Sequence, residues 1–342
     1  MSHQHSPAPL PPAPLPPALR TALGGLRITG GTPRVEVDGD LAVTADTWNE
    51  LRAALTGLLY GRWHAGSASP EGPELVPRRD GPFESELVAA TGHTRTVTAA
   101  VLRSPLGAPD GGADRPVRVE LGRVLVAVPA GAVRTDGPPV VGRPCEVELP
   151  AVRPALSPGF LLVDGPAGAP DGDGGLLRLY VHLARPEAAP PVWRTLLARL
   201  ADLGVRYRAK VLSRPGAYPR RDAAVVYLDA ADAAAAPLLA RAVADHPGVA
   251  ADTSLFAAAL HPGIALAWEP DDARDGWGGR SFGQHRAAAV ADGIVRRAAD
   301  PAGPPLEEQV ARALREASAD PAEPARNLGS PALPGRAAAG RR

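Results

Sequence analysis

The sequence predicts an α+β protein: an N-terminal amphipathic helix, a β-rich middle region, then a mixed α/β sheet with packed helices. Three observations lead there. Leu51, Leu55 and Leu58 recur at helical spacing, short valine-rich runs separated by Gly, Pro and Asp turns come next, and strand-like and helix-like segments alternate from Leu176 onward.

Residues 1–20 repeat Pro-Ala-Pro-Leu-Pro, which favours polyproline II, so a disordered leader is expected there. Residues 21–82 form the N-terminal helical region, in which "TADTWNELRAALTGLLYGRWHAG" offers Thr44 or Asp46 as a cap and places His64 beyond the helix end. Residues 83–168 are the β-rich region, carried by "TRTVTAAVL", "VRVELGRVLVAVP" and "CEVELPAVRP". Residues 169–300 form an α/β core. Within it "LLRLYVHL" reads as a strand, "PPVWRTLLARLADLG" as a helix closed by Gly204, and "VRYRAKVL" and "DAAVVYLD" as further strands. Strand, helix, strand implies a right-handed crossover and a parallel pair. "SFGQHRAAAVADGIVRRAA" opens a later helix with Ser281 and Gln284 at capping-box spacing. Residues 301–342 are expected to be a short helix and a disordered, low-complexity tail without chemistry.

Composition narrows the function classes. Lys plus Arg equals Asp plus Glu at 37 each, so no global field draws the chain to nucleic acid or an anionic membrane. The single Cys145 excludes an intrachain disulfide and a thiolate metal cluster. The sequence has no apolar run near the roughly 20 residues of a membrane span, no signal-peptide core, no His/Asp metal spacing and no phosphate-binding Gly-rich loop. A cytoplasmic protein without metal or cofactor is the expectation.

The candidate chemistry gathers around Lys210, the one lysine among 37 Lys and Arg residues. Lysine can give up its proton and act as a base, which arginine cannot. Residues two apart on a strand share a face, so Arg178, Tyr180 and His182 form one polar face, and Arg206, Arg208 and Lys210 another on what the pattern suggests is a neighbouring strand. The turn after Lys210 adds Arg214, Tyr218, Arg220 and Arg221, and Tyr227 follows on the next strand. Two readings stand: a solvated outer face with Lys210 a chance survivor in an Arg-preferring chain, or an anion site. Asp222 is the single acid between Arg206 and Tyr227, which leaves these cations ready for a dianion such as a phosphate ester. A base beside a phosphate, with a histidine opposite, is the equipment for β-elimination.

At "RLYVHL", "RAKV", "YPRRDAAVVYL" and "GRSFGQHR" the chain resembles the HopA family of type III secretion effectors and their relatives in ribosomal-peptide biosynthesis clusters, from about Ala45 to Arg297. These are similar to phosphothreonine lyases and to the lyase domains of lanthipeptide synthetases. The resemblance implies that residues 169–300 are a lyase-like core that eliminates phosphate from phosphoserine or phosphothreonine, leaving dehydroalanine or dehydrobutyrine without a metal. Its substrate would be a phosphorylated Ser/Thr precursor peptide, and its partner a kinase-like phosphotransferase. By the same resemblance Lys210 is the base, His182 the acid, and Arg220 or Arg221 a phosphate ligand, with Tyr227 nearby. Phosphothreonine lyases carry Lys-x-His where this chain has Tyr180-Val181-His182, so the phosphate contact made by that lysine is either absent here or supplied by Tyr180, Arg178 or Arg208. In "SFGQHR", Arg286 would complete the phosphate clamp, the capped helix start with Gln284 would add donors, and His285 would either orient the site or pack at the helix end. A catalytically silent scaffold binding a peptide or a partner kinase is the alternative.

Overall fold

The computed structural model describes residues 14–39, 41–67, 79–106 and 115–335. They fall into two compact units. The first is built from the described residues of Met1–Glu74, Thr253–Ala259 and Ala265–Arg342; the second from those of Leu75–Asp252 and Leu260–Ile264.

The chain starts in the first unit with helix α1 (Pro17–Gly24), which buries Leu19 and Leu23. Much of the predicted Pro-rich leader lies outside the described residues, but Pro17 to Arg20 are helical because Pro fits the first turn, where its missing N–H costs nothing. A three-stranded antiparallel sheet follows, β1 (Leu26–Ile28), β2 (Arg34–Val37) and β3 (Leu41–Thr44), in that order. Helix α2 (Trp48–Leu59) buries Leu51, Leu55, Leu58 and Leu59. Its cap is Thr47 rather than Thr44 or Asp46, since Thr47 and Glu50 satisfy each other's backbone N–H in a capping box. One π-helical turn, Tyr60–Ala65, continues α2 and buries His64, whose Nδ1 lies 2.8 Å from Ser254 Oγ.

In the second unit, helix α3 (Gly81–Ala89) leads into β4 (Arg95–Leu102), β5 (Pro116–Leu121), β6 (Val124–Pro129), β7 (Val133–Arg134) and β8 (Pro144–Pro150). These five strands form an antiparallel sheet in the order β6-β5-β4-β8-β7, with Leu102, Val117, Val119, Cys145 and Val147 in its core. The expected β-rich region is therefore present, but its last strands leave it. β9 (Val152–Ser157) and β10 (Phe160–Asp164) join the sheet that continues with β11 (Leu176–Leu183), β12 (Tyr207–Leu212) and β13 (Arg220–Asp229). Within this unit the order is β11-β13-β12-β10-β9.

That order corrects one expectation. β11 and β12 run parallel, as strand-helix-strand requires, yet they are not neighbours: β13 lies between them and is antiparallel to both. The turn after β12 is short enough to fold β13 straight back along it, which takes up the edge that a crossover pair would have shared. Helices α4 (Ala189–Leu203) and α5 (Ala236–Val243) bury Trp193, Leu196, Leu200, Leu239 and Val243, and α4 ends on Gly204 at φ 65°, a left-handed closure that glycine adopts without strain.

The strands β14 (Ala258–His261) and β15 (Ile264–Trp268) carry the chain back toward helices α6 (Phe282–Ala299) and α7 (Leu306–Glu316). The segment after α7 is not a loose tail as far as Gly335: Ala319, Ala325 and Asn327 are buried, and Ala325 O accepts from Trp268 N. Its low-complexity composition hid this because alanines can fill a core and the backbone supplies the polar contacts. Among the described residues no helix is long and apolar enough to cross a membrane. Ending the chain at Ala317 is expected to abolish cooperative melting of the first unit, whereas a melting curve identical to the full chain's would mean that Ser318–Gly335 contributes nothing to its stability.

Candidate active site

The second unit's sheet has two chemically different faces. Leu177, Leu179, Val181, Tyr207, Ala209, Val211, Val226 and Leu228 are all fully buried and alternate with polar side chains on β11, β12 and β13. Register then aligns the polar residues in rows across the strands. Asp164 pairs with Arg208, Arg208 with Tyr227, and Tyr227 with Arg178. In the next row Arg153 is opposite Leu162, Leu162 opposite Lys210, Lys210 opposite Val225, and Val225 opposite Tyr180. Neighbouring strands lie about 4.8 Å apart, so side chains from five strands share one surface.

Lys210 is half-buried, with Nζ 4.4 Å from the Phe160 ring centre and 5.9 Å from that of Tyr227. Its side-chain amine makes no ion pair or hydrogen bond with any described residue. Arg178 sets its guanidinium 4.9 Å from the centre of the same Tyr227 ring, and Tyr180 is 2% exposed.

Most of the neighbouring cations are neutralised, which the sequence pattern did not foresee. Arg208 holds the buried Asp164 with Nε and a terminal nitrogen at 2.7 and 3.2 Å, and Arg153 approaches the same carboxylate at 3.5 Å. Arg206 is bound to Asp171. Arg220, a candidate phosphate ligand, forms a buried fork with Asp222 at 2.8 and 2.9 Å and so serves as an internal pair. Arg221 lies 3.9 Å from an exposed Asp252 carboxylate. Tyr218 turns away, its hydroxyl donating to Leu212 O and its ring set edge-on against Phe83.

His182 occupies an irregularity in the β11–β13 pairing, where its backbone instead binds Gly263 O and Ala250 N. Gly263 must be glycine: its φ is 69°, and a Cβ would stand 1.8 Å from Ala250 O. The ring Nδ1 lies 2.9 Å from Asp252 O, which fixes the tautomer with Nδ1–H as donor and leaves Nε2 as the acceptor. Burial, helped by the Arg221 charge, pushes its pKa below the ordinary histidine value despite the Asp252 carbonyl. At neutral pH it is an imidazole, and a proton donor only once a negative charge arrives beside Nε2.

The remaining candidates belong to the first unit. Arg286 is fully buried and donates to Pro324 O, Arg326 O, Asn327 Oδ1 and His285 Nδ1, so its fork ties down the segment after α7 rather than opening toward a ligand. His285 accepts that Arg286 bond at Nδ1 and donates from Nε2 to Asp272, 2.9 Å away. These bonds hold its ring at the start of α6. Gln284 is exposed and closes the capping box with Ser281. Among the described residues no His, Cys, Asp and Glu cluster could hold a metal.

A family model for the HopA1 effector proteins matches residues 151–326, which is just over half of the chain. The chain belongs to the HopA1 effector protein family. Among solved structures, the effector protein from Pseudomonas syringae pv. tomato strain DC3000 aligns at 16% identity with a TM-score of 0.45, over 83% of this chain and 91% of its own. The effector from P. syringae pv. syringae strain 61 aligns at 16% identity and 0.44, over 82% and 94%. No curated protein matches the chain. The matched span of this HopA1-family chain contains every candidate residue named above. It also contains Asp164, Phe160 and Arg153, which sequence reasoning passed over; the one signal for Asp164 was a carboxylate closing the otherwise apolar "FLLVD".

The histidine bonds give a pH dependence. Burial first and the Arg286 charge second lower the His285 pKa to about 4, against the opposing pull of Asp272. Because the unfolded chain takes up that proton at the ordinary value of 6.5, the contribution of His285 is complete above pH 6.5 and is lost as pH falls toward about 4. The loss should approach about 3 kcal/mol. Thermal melts between pH 7.5 and 4.5 should show it, and His285→Gln should flatten that slope; an equally steep slope in the variant assigns the acid sensitivity to other groups.

Proposed function

We propose that this chain is a phosphoserine/phosphothreonine lyase that acts on a phosphorylated peptide by β-elimination, leaving dehydroalanine or dehydrobutyrine. The observation that carries this reading is the placement of Lys210: the chain's one lysine lies on a polar sheet face with His182, Arg178, Tyr180, Tyr227 and Arg221, and makes no ion pair with any described residue.

In this reading the Lys210 amine takes the Cα proton of the phosphorylated residue. The released electron pair forms the Cα=Cβ double bond, the Cβ–O bond breaks, and phosphate leaves with that bond's electrons. The reading assigns the phosphate to Arg221 and Arg178, whose planar forks match phosphate oxygens, while Arg208 and Arg220 hold carboxylates. A phosphate dianion next to His182 Nε2 opposes the burial that keeps the ring neutral, and the imidazolium so formed returns its proton to the departing phosphate. Tyr227 and Phe160 hold the lysine stem in place. The peptide would come from a kinase-like phosphotransferase, within a ribosomal-peptide pathway.

One observation favours a second reading, a non-catalytic scaffold that binds a peptide or a partner kinase. Arg206, Arg208 and Arg220 already have carboxylates, as ordinary structural cations do.

Incubation with a phosphothreonine peptide should give a product lighter by phosphoric acid, with inorganic phosphate released; recovery of free threonine would instead mean hydrolysis. Lys210→Arg keeps the charge but removes the group able to accept a proton, so release should fall by at least about 100-fold, the span of general-base catalysis. Turnover at the parental rate in that variant overturns Lys210 as the base, whereas no phosphate release from the parent supports the scaffold. Arg221→Ala should raise KM for the phosphopeptide. Arg220→Ala should act differently, costing about 3 kcal/mol of stability because the buried Asp222 loses its two-pronged guanidinium contact. Affinity and melting measured on both variants separate the two arginines.

A further inference from the structure

Lys210 has a carboxylate within reach and does not take it. Asp164 stands directly opposite Arg208 on the neighbouring strand and one diagonal step from Lys210, which is opposite Leu162. Long side chains bridge such diagonal positions in an antiparallel pair. Arg153, opposite Leu162 on the far side, is the other diagonal neighbour of Asp164. Of these two diagonal cations Asp164 binds Arg153, at 3.5 Å, in addition to the two-pronged contact from Arg208 at 2.7 and 3.2 Å. Both carboxylate oxygens are thereby occupied: Oδ1 by Arg208, and Oδ2 by Arg208 and Arg153. The lysine stem leans the opposite way along the strand, setting Nζ 4.4 Å from the ring of Phe160.

We propose that Arg208 and Arg153 are positioning residues which occupy Asp164 and so keep Lys210 out of a carboxylate pair. The consequence for catalysis rests on the reading of Lys210 as proton acceptor, because an ammonium locked to a carboxylate cannot take a proton. It also changes the part expected of Arg208 from the sequence, from phosphate ligand to guard of a neighbouring carboxylate. Guanidinium suits that part: its planar fork matches a carboxylate and displaces a single-point ammonium. The other charged or titratable groups facing Lys210 are Tyr227 and Arg221 on β13 and Arg178, Tyr180 and His182 on β11, none of them a carboxylate.

The uniqueness of Lys210 makes the proposal measurable without any assay of activity. Reductive methylation of the intact protein with carbon-13 formaldehyde labels one side chain, Lys210, besides the terminal amine, and its NMR signal reports the protonation of that amine. In Arg208→Gln, Asp164 is released to Lys210 and the titration midpoint should rise by about one pH unit. In Asp164→Asn, a near-isosteric change, two guanidinium groups lose their counter-charge and the midpoint should fall. The double variant, with no carboxylate to capture, should lose the rise seen in Arg208→Gln. An unmoved midpoint in Arg208→Gln, or a double variant that titrates like it, overturns the proposal; should Arg208→Gln not fold, an unmoved midpoint in Asp164→Asn does so alone. Phosphate release separates this from the lyase reading. If the midpoints shift but the parent eliminates nothing, the lyase fails and the guard stands; if the parent eliminates and no midpoint shifts, the guard fails and the lyase stands. With both correct, Arg208→Gln loses about ten-fold in kcat/KM below its midpoint and recovers at higher pH, while KM stays near the parental value. A phosphate ligand would lose KM at every pH.

Discussion

The charge order of the polar sheet face depends on one buried carboxylate. Asp164 is 2% exposed, and a carboxylate so removed from water must be paired and hydrogen-bonded to stay ionised. It draws Arg208 and Arg153 to itself, and its own backbone oxygen lies 2.9 Å from His93 Nε2. Through register, that choice propagates: Arg208 is fixed in the row that continues through Tyr227 to Arg178, and Lys210 is left one row away among aromatic rings. A surface that reads as a dense block of positive charge is thus resolved in large part into ion pairs.

The first unit follows the same logic with a different outcome. Arg274 and His285 both bind Asp272, whose pKa is held at about 2 because these hydrogen bonds outweigh the penalty of burial. Arg286 donates to His285 and to the carbonyls of the segment after α7. Every proton in this chain of contacts has one place to be, since an arginine N–H can only donate and a carboxylate can only accept. The polar residues of "SFGQHR" are thereby held in a hydrogen-bonded network within the first unit.

Both units use arginine where a shorter or more titratable cation would fail. A guanidinium bridges carbonyls, carboxylates and aromatic faces at once, as Arg274 does with Asp272 and the Trp277 ring 3.7 Å away. Against that background one lysine is a chemical exception, and its surroundings differ accordingly: aromatic rings and no carboxylate partner among the described residues.

The sequence by itself determined what depends on local order. Helix α2 and its leucine stripe, the valine-rich runs that become strands between Arg95 and Pro150, the alternation of β11 and β12, and the capping box at Ser281 all follow from period and from residues three apart, which the chain states directly. It also put Arg178, Tyr180 and His182 on one polar face and Arg206, Arg208 and Lys210 on another, because period two fixes which residues of a strand share a face. Tertiary structure decided the partners. The insertion of β13 between β11 and β12, the pairing of Arg208 with an aspartate 44 positions earlier, and the burial of Arg286 against carbonyls some 40 positions later involve residues that nothing local connects. Whether a cation is available for a ligand depends on which carboxylates the fold brings within about 4 Å of it, and that distance exists only once the strands have found their order.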